Sequence, residues 1–287
     1  MHPLAHRIAA KMNGLGNEIV VLDLRDGSAR VRADDARAIG RMPGFLFDQL
    51  MVIEPAHDAA HDGRLAIFNI DGSRAEACGN GTRCVAAFLA RGGARAAYAF
   101  ESDAGLLDVR CESDGAITVD MGAPRLDWAT IPLAHPAETL RVALEPPVAS
   151  APEHFVAINM GNPHAVFFVE DAAAIDLACI GPKIEHHPLF PARVNVSFAQ
   201  RLDAGHLLLR VWERGAGATR ACGTAACATL VAAARTGVTG RHAVVTLPGG
   251  DLRIAWREAD DHVLMTGPTE FEYERALDPA LLPEPVA

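Results

Sequence analysis

The sequence predicts an α+β fold of two pseudo-symmetric domains, each a curved, mainly antiparallel sheet or barrel around one central buried helix. Three observations lead there. Cys78 and Cys222 each sit in an Ala-Cys-Gly sequence that opens an apolar helical run, and they lie 144 residues apart in a chain of 287. Other landmarks keep that spacing: Gly16-Asn17 recurs as Gly161-Asn162, Gly105-Leu106 as Gly250-Asp251, and Met121-Gly122-Ala123-Pro124 as Met265-Thr266-Gly267-Pro268, at offsets of 144 or 145. One period kept by several kinds of landmark marks a repeated structural unit. Finally, strand-like runs fill both halves, and each half has one helix that lacks a polar face.

The elements run in order along the chain. Residues 18–24 form a β-branched run after a Gly-rich turn, and residues 50–53, 65–70, 107–111 and 117–121 read the same way. Residues 34–41 and 82–91 read as helices. In the second of these, Cys84-Val85-Ala86-Ala87-Phe88-Leu89-Ala90 is apolar nearly all round, which predicts burial on every side. Gly92-Gly93 then stops it. A Pro-rich stretch, residues 124–152, separates the halves. Beyond it, residues 155–158, 164–169, 194–198, 207–212, 243–247, 252–256 and 263–265 are strand candidates. The helix at residues 224–236 is again apolar, from Ala225 to Ala234, and Gly237 ends it. The expected domains are residues 1–129, carrying Cys78, and residues 130–268, carrying Cys222.

Composition narrows the function classes. Half the residues are apolar and 22% are charged, enough for a globular protein with a sizeable core. A net charge of −10 argues against a nucleic-acid partner, which would require a basic face. No run has the length of a transmembrane helix, so no membrane partner is expected. The first 14 residues carry no apolar signal-peptide core. Cytoplasmic residence is the expectation, with the six cysteines reduced.

The two repeated cysteines carry the chemistry. A helix N-terminus stabilises a thiolate through its unpaired N–H groups and dipole. The glycines after them let backbone amides approach an anion closely. Two such thiols serving one small cavity would not both ionise, because the second charge repels the first. One thiolate and one thiol is the state that a two-base racemase or epimerase needs. The thiolate removes an α-proton and the thiol returns a proton to the other face. A plainer reading treats a buried cysteine as a small hydrophobe, and it suits Cys84, Cys111, Cys179 and Cys227. A zinc site of Cys78, Cys84, Cys222 and Cys227 is a further alternative, but its C-x5-C and C-x4-C spacings are not those of zinc ribbons. No metal is expected.

The residues resemble one family along nearly the whole chain. Gly14-Leu15-Gly16-Asn17, Phe68-Asn69-Ile70-Asp71-Gly72-Ser73, Cys78-Gly79-Asn80-Gly81-Thr82-Arg83-Cys84, Met160-Gly161-Asn162-Pro163-His164, Asn195-Val196, Glu213-Arg214-Gly215-Ala216-Gly217, Ala221-Cys222-Gly223-Thr224 and Leu247-Pro248-Gly249-Gly250 stand in the order found in diaminopimelate epimerases. The resemblance implies a cofactor-independent epimerase that interconverts LL- and meso-diaminopimelate in lysine and peptidoglycan precursor biosynthesis. It implies Cys78 and Cys222 as the acid–base pair. It implies Asn17, Gln49, Asn69, Asn162, Asn195, Glu213 and Arg214 as substrate contacts, with donors from Gly79, Asn80, Gly223 and Thr224 at the two helix starts. His164 and Glu213 are expected to tune or relay protons. The residue types suit a substrate with two carboxylates and two ammoniums: Arg214 offers a planar fork, and an Asn amide both donates and accepts. The resemblance also returns residues 269–287 to the first domain, and dimers occur in the family. No cofactor is expected. Lys11 and Lys183 are the only lysines, and the resemblance gives neither a catalytic role such as a pyridoxal phosphate site would need.

Four positions depart from the family pattern: Asn13, Glu18, Leu46 and Ala218 stand where His, Asp, Gly and Glu are usual. Proline and hydroxyproline racemases share the two-cysteine logic, but they serve a ring with one carboxylate. Phenazine-type isomerases share the fold and lack the cysteine pair. A thiol-containing binding or metal protein without turnover is the alternative from another class.

Overall fold

A computed structural model of the chain describes residues 2–75, 78–93 and 95–284. Ala77 of the first Ala-Cys-Gly sequence and residues 285–287 of the C-terminal segment lie outside the described residues. The chain divides into two units, Met1–Val119 with Gly267–Ala287, and Asp120–Thr266. The division falls before residues 120–129, not after them. Asp120 accepts hydrogen bonds from Arg257 Nη2 at 2.9 Å and His262 Nδ1 at 2.8 Å, and Trp128 packs on the second unit's core. Residues 120–129 therefore belong to the second unit.

The first unit contains β1 (Ile8–Asn13), β2 (Glu18–Asp23), α1 (Ala33–Arg41), β3 (Gln49–Glu54), β4 (Gly63–Asn69), β5 (Arg74–Ala75), α2 (Gly79–Ala90), β6 (Ala97–Ser102), β7 (Gly105–Cys111) and β8 (Ile117–Asp120). The second contains β9 (Val142–Ala143), β10 (His154–Asn159), β11 (Pro163–Val169), α3 (Leu177–Glu185), β12 (Asn195–Asp203), β13 (His206–Glu213), β14 (Gly217–Ala218), α4 (Gly223–Arg235), β15 (His242–Leu247), β16 (Gly250–Trp256) and β17 (Val263–Gly267). A last strand, β18 (Glu270–Ala276), pairs antiparallel with β1.

The two sheets have one topology. In the first unit the order is β18-β1-β2-β3-β4-β6-β7-β8, with β2/β3 and β4/β6 parallel and the other pairs antiparallel. In the second it is β9-β10-β11-β12-β13-β15-β16-β17, with β11/β12 and β13/β15 parallel. The short β5 and β14 pair with β4 and β13. Parallel neighbours require a crossover, and the four helices supply the four crossovers. α1 and α3 make the first in each unit, and α2 and α4 make the second.

The helices that follow Cys78 and Cys222 differ in burial. In α4 every residue from Ala225 to Ala233 is buried. In α2 burial is complete only from Asn80 to Ala86, and residues 87–90 are half-buried. The expectation of a helix buried on all sides therefore holds for the cysteine end of α2 and not for its far end, where the Arg91 guanidinium stacks 3.5 Å from the Phe271 ring centroid. The second core is partly aromatic: Phe155, Phe167, Phe190 and Phe198 pack with centroids 5.2 to 5.4 Å apart. No helix among the described residues is long and apolar enough to cross a membrane.

Candidate active site

Cys78 is the N-cap of α2, in extended conformation at φ −147° and ψ 98°. That backbone turns the side chain over the first helical turn, where the Gly81 N–H donates to Sγ at 3.2 Å. Thr82 locks the same turn, donating to the Cys78 carbonyl from its N–H at 2.8 Å and its hydroxyl at 2.9 Å. A Cβ at position 81 would collide with the Met51 side chain, so glycine is what lets the helix start approach β3. The thiol faces two amide oxygens, Gln49 Oε1 at 3.6 Å and Asn17 Oδ1 at 3.9 Å. Gln49 and Asn69 are directly opposite in the β3/β4 register, and Gln49 Nε2 reaches Asn69 Oδ1 at 3.5 Å. Asn69 Nδ2 donates to Ser73 Oγ at 3.0 Å, and Ser73 Oγ donates to Asp71 Oδ1 at 2.6 Å. The Ser73 hydroxyl, followed by its N–H, holds the Asp71 carboxyl below its usual range. Asn17 Nδ2 donates to Asp48 Oδ2 at 2.9 Å, and that oxygen also accepts the Glu18 N–H at 2.8 Å. At the helix start, Asn80 is buried, and its Oδ1 has no partner among the described residues.

Cys222 is the N-cap of α4, also extended, at φ −131° and ψ 107°. Its surroundings differ. It is only 5% exposed, it lies 3.5 Å from Thr224 Oγ1, and Glu213 is hydrogen-bonded to its thiol. Burial first, and the Glu213 carboxylate second, push the thiol well above its ordinary value, against the opposing pull of the Thr224 hydroxyl and the Ala225 amide. The helix N-terminus was expected to favour a thiolate here. Desolvation and a neighbouring carboxylate outweigh it.

The loop after β13 is tied down from several sides. Buried Glu185 accepts from Trp212 Nε1 at 2.7 Å and from the Gly215 N–H at 2.9 Å. Burial works to raise the Glu185 carboxyl, but these donors, with His186 and Arg193, hold it below its usual value. Asn195 Oδ1 accepts the Arg214 N–H, and Asn195 Nδ2 donates to the Pro163 carbonyl, both at 2.9 Å. The Arg214 guanidinium donates to the Ala192 carbonyl at 3.1 Å and is otherwise exposed. Glu213 itself accepts from the Thr219 hydroxyl. His164 is fully buried, 2.7 Å from Asn162 Oδ1 through Nε2, and its Nδ1 has no partner among the described residues. Burial, and then the charge of Arg214, push its pKa down to about 3.

The structure thus groups Cys78 with Asn17, Gln49 and Asn69, with Gly79 and Asn80 at the start of α2. It groups Cys222 with Glu213, Gly223 and Thr224, His164 with Asn162, and Arg214 with Asn195. Asn195, expected to touch substrate, already uses both ends of its amide within the protein. Asp48 and Glu185 were missed. Their partners lie about 30 residues away along the chain, brought close by the β2/β3 pairing for Asp48 and by α3 lying against β13 for Glu185. Two of the departures meet: Asn13 Nδ2 donates to Glu18 Oε1 at 3.2 Å, and Asn13 Oδ1 accepts the Gly16 N–H at 2.6 Å. Leu46 is 68% exposed, and Ala218 lies exposed on β14. Cys84 and Cys227 are fully buried inside their helices, and burial pushes the Cys84 thiol up to about 12. Among the described residues no group of three or more His, Cys, Asp or Glu side chains is placed to hold a metal ion.

Known proteins resemble this chain in sequence and in fold. The profile of a family described as diaminopimelate epimerase matches residues 9–126 and 156–272, one segment in each half. A diaminopimelate epimerase of Methylocella silvestris is 53% identical over 290 residues, covering 100% of both chains. One from a Methylobacterium species is 56% identical, covering 98% of each. Among solved structures, a hydroxyproline epimerase of Agrobacterium vitis with bound trans-4-hydroxy-L-proline superposes with a TM-score of 0.64 at 16% identity, covering 98% of this chain and 96% of that one. At that identity the likeness is one of fold.

Proposed function

The chain belongs to the diaminopimelate epimerase family, and we propose that it interconverts LL- and meso-2,6-diaminopimelate with Cys78 and Cys222 as its two bases. The reaction is an isomerisation in lysine and peptidoglycan precursor biosynthesis. The observation that carries the two-base reading is the pair of unlike N-caps. Cys78 is partly accessible, and its sulfur takes the Gly81 N–H while facing the Gln49 and Asn17 amide oxygens, so the thiolate has a donor and the thiol has acceptors. Cys222 is buried beside Glu213 and keeps its proton.

In the LL direction Cys78 Sγ takes the α-proton and becomes a thiol. The electron pair left on the α-carbon delocalises into the carboxylate. Cys222 then delivers its proton to the opposite face and becomes the thiolate; Glu213 relays a proton from solvent to it, and the Cys78 thiol gives its proton to solvent, which restores the starting state. The helix starts at Gly79-Asn80 and at Gly223-Thr224 each offer backbone N–H groups that favour negative charge. Asn17, Gln49, Asn69, Asn162, Glu213 and Arg214 supply contacts for carboxylate and ammonium groups. Asn195 works by holding the Arg214 backbone. His164, buried and neutral, serves Asn162 instead of carrying a proton. The reading needs no cofactor, and it extends to a cytoplasmic enzyme that assembles as a homodimer.

Reduced protein incubated with LL-diaminopimelate in D2O, monitored by NMR, tests the activity. Loss of the α-proton signal together with meso product is the expected result. Exchange on proline or hydroxyproline but not on diaminopimelate would replace this reading with that of the ring-substrate enzymes.

A further inference from the structure

The repeat places one asparagine in the turn before a corresponding strand of each unit, Asn17 before β2 and Asn162 before β11. The two are equivalent: Ile19 stands opposite Gln49 in the β2/β3 register, as His164 stands opposite Asn195 in the β11/β12 register. Their side chains are nevertheless tied by unlike groups. Asn17 is tied by Asp48. A carboxylate only accepts, so Asn17 Nδ2 must face it, and Oδ1 is left on the side of the Cys78 thiol.

Asn162 is tied by His164. A neutral imidazole carries one N–H, and His164 Nδ1 has no partner among the described residues. A buried N–H without an acceptor is rarer and costlier than an unpaired acceptor, so the proton sits on Nε2 and donates to Asn162 Oδ1. Burial favours that neutral ring. The Asn162 NH2 group is left to donate. The counterpart of His164 in the first unit is Ile19, and the counterpart of Asp48 in the second is Val194, both fully buried aliphatics. Each orienting group therefore exists in one half only.

We propose that Asp48 and His164 are positioning residues that set the two repeat-related asparagines to opposite polarity: Asn17 presents an acceptor, suited to a substrate ammonium, and Asn162 presents donors, suited to a carboxylate. The proposal rests on the epimerase reading.

The test pairs kinetics with NMR. Asp48→Asn lets the Asn17 amide turn over, and it should lower kcat/KM on LL-diaminopimelate about 10- to 100-fold, chiefly through KM, the size of one lost hydrogen bond to a charged group. Adding Asn17→Asp to that variant restores a donor–acceptor pair with an acceptor still open, and it should recover about tenfold of the loss. Asn162→Asp replaces open donors with an acceptor, and it should lose at least as much as Asp48→Asn. In 15N spectra of the ligand-free wild type, the Asn17 side-chain NH2 should be protected from solvent exchange, the Asn162 NH2 should not, and Asp48→Asn should remove the Asn17 protection. A double variant no better than Asp48→Asn, an Asn162→Asp variant as active as the double variant, or a protected Asn162 NH2 would overturn the proposal. A wild type inactive on diaminopimelate would sink the epimerase reading alone, and the amide protection, which needs neither substrate nor variant, would still decide the orientation.

Discussion

Removing the titratable ring of His164 should change how the protein tolerates acid. His164 has no solvent exposure, and burial, aided by the charge of Arg214, holds its pKa at about 3. An unfolded histidine titrates near pH 6.5. Below that pH the unfolded chain gains a proton that the folded chain refuses, so acid favours unfolding. The stability tied to the neutral ring is fully present above about pH 6.5 and falls as the pH drops toward the folded value. Between pH 7 and pH 5 the unfolded ring goes from mostly neutral to mostly charged while the folded ring stays neutral, which costs about 2 kcal/mol. His164→Gln keeps an N–H donor for Asn162 and cannot titrate. Urea unfolding at both pH values should show wild type losing about 2 kcal/mol more than the variant. The absolute stability of the variant does not enter, because each protein is compared with itself. Equal losses in the two proteins would refute a buried neutral His164 and, with it, the tautomer assigned to Nε2.

Three further outcomes are expected. Cys78→Ala and Cys222→Ala should each lower meso-diaminopimelate formation by at least about 100-fold, the low end of what general acid–base groups contribute; an active single variant would end the two-base mechanism. Glu213→Gln removes a charge that raises the Cys222 thiol, so alkylation of the Cys222 peptide by iodoacetamide, read by mass spectrometry across a pH series, should begin at a lower pH than in wild type. Gly181→Ala would set a Cβ 2.5 Å from Cγ and Cδ2 of Trp212, and this overpacking should cost about 1–3 kcal/mol in urea unfolding, with a drop in activity as Trp212 pulls Glu185 and the Gly215 turn out of place.

Most of the fold was legible because its signals are local. The β-branched run of β2, the apolar helix behind each cysteine and the repeat at 144 residues need only a short window of sequence. The misses have physical reasons. β1 reads Ile-Ala-Ala-Lys-Met-Asn, small and charged for a strand, yet Lys11 is 5% exposed because Glu18 on the neighbouring strand pairs with it. α3 contains Gly181-Pro182, which reads as a break, and the helix survives because that glycine is the point where Trp212 packs against it. β18 alternates correctly but is mostly charged and exposed, so only its pairing with β1 defines it. In the candidate site, the cysteines and the Asn, Gln, Glu and Arg residues around them are visible in motifs. The groups that orient them, Asp48 beside the β2/β3 pair and Glu185 at the end of α3, act on partners distant in sequence, and no local pattern marks them.

The same distinction explains how two copies of one scaffold give their thiols different surroundings. Identical thiols at identical helix starts would have identical proton affinities, and a resting enzyme would hold a mixture of the two singly ionised forms. Asn69 and Glu213 occupy corresponding places, 144 residues apart, at the ends of β4 and β13. A neutral amide in one unit and a carboxylate in the other give the two thiols different electrostatic surroundings while the backbone stays the same. The N–H of Gly81 points at Cys78 Sγ, whereas Glu213 stands against Cys222. A carboxylate beside the thiol resists ionisation there, and in the proposed mechanism it also returns a proton to the sulfur after the thiol has given up its own, so one substitution in the repeat sets both the resting state and the route of its renewal. In the repeat-related asparagines the difference between Asp48 and His164 does for binding what Glu213 does for proton transfer. The duplicated elements fix the geometry, and the residues that break the repeat assign the roles.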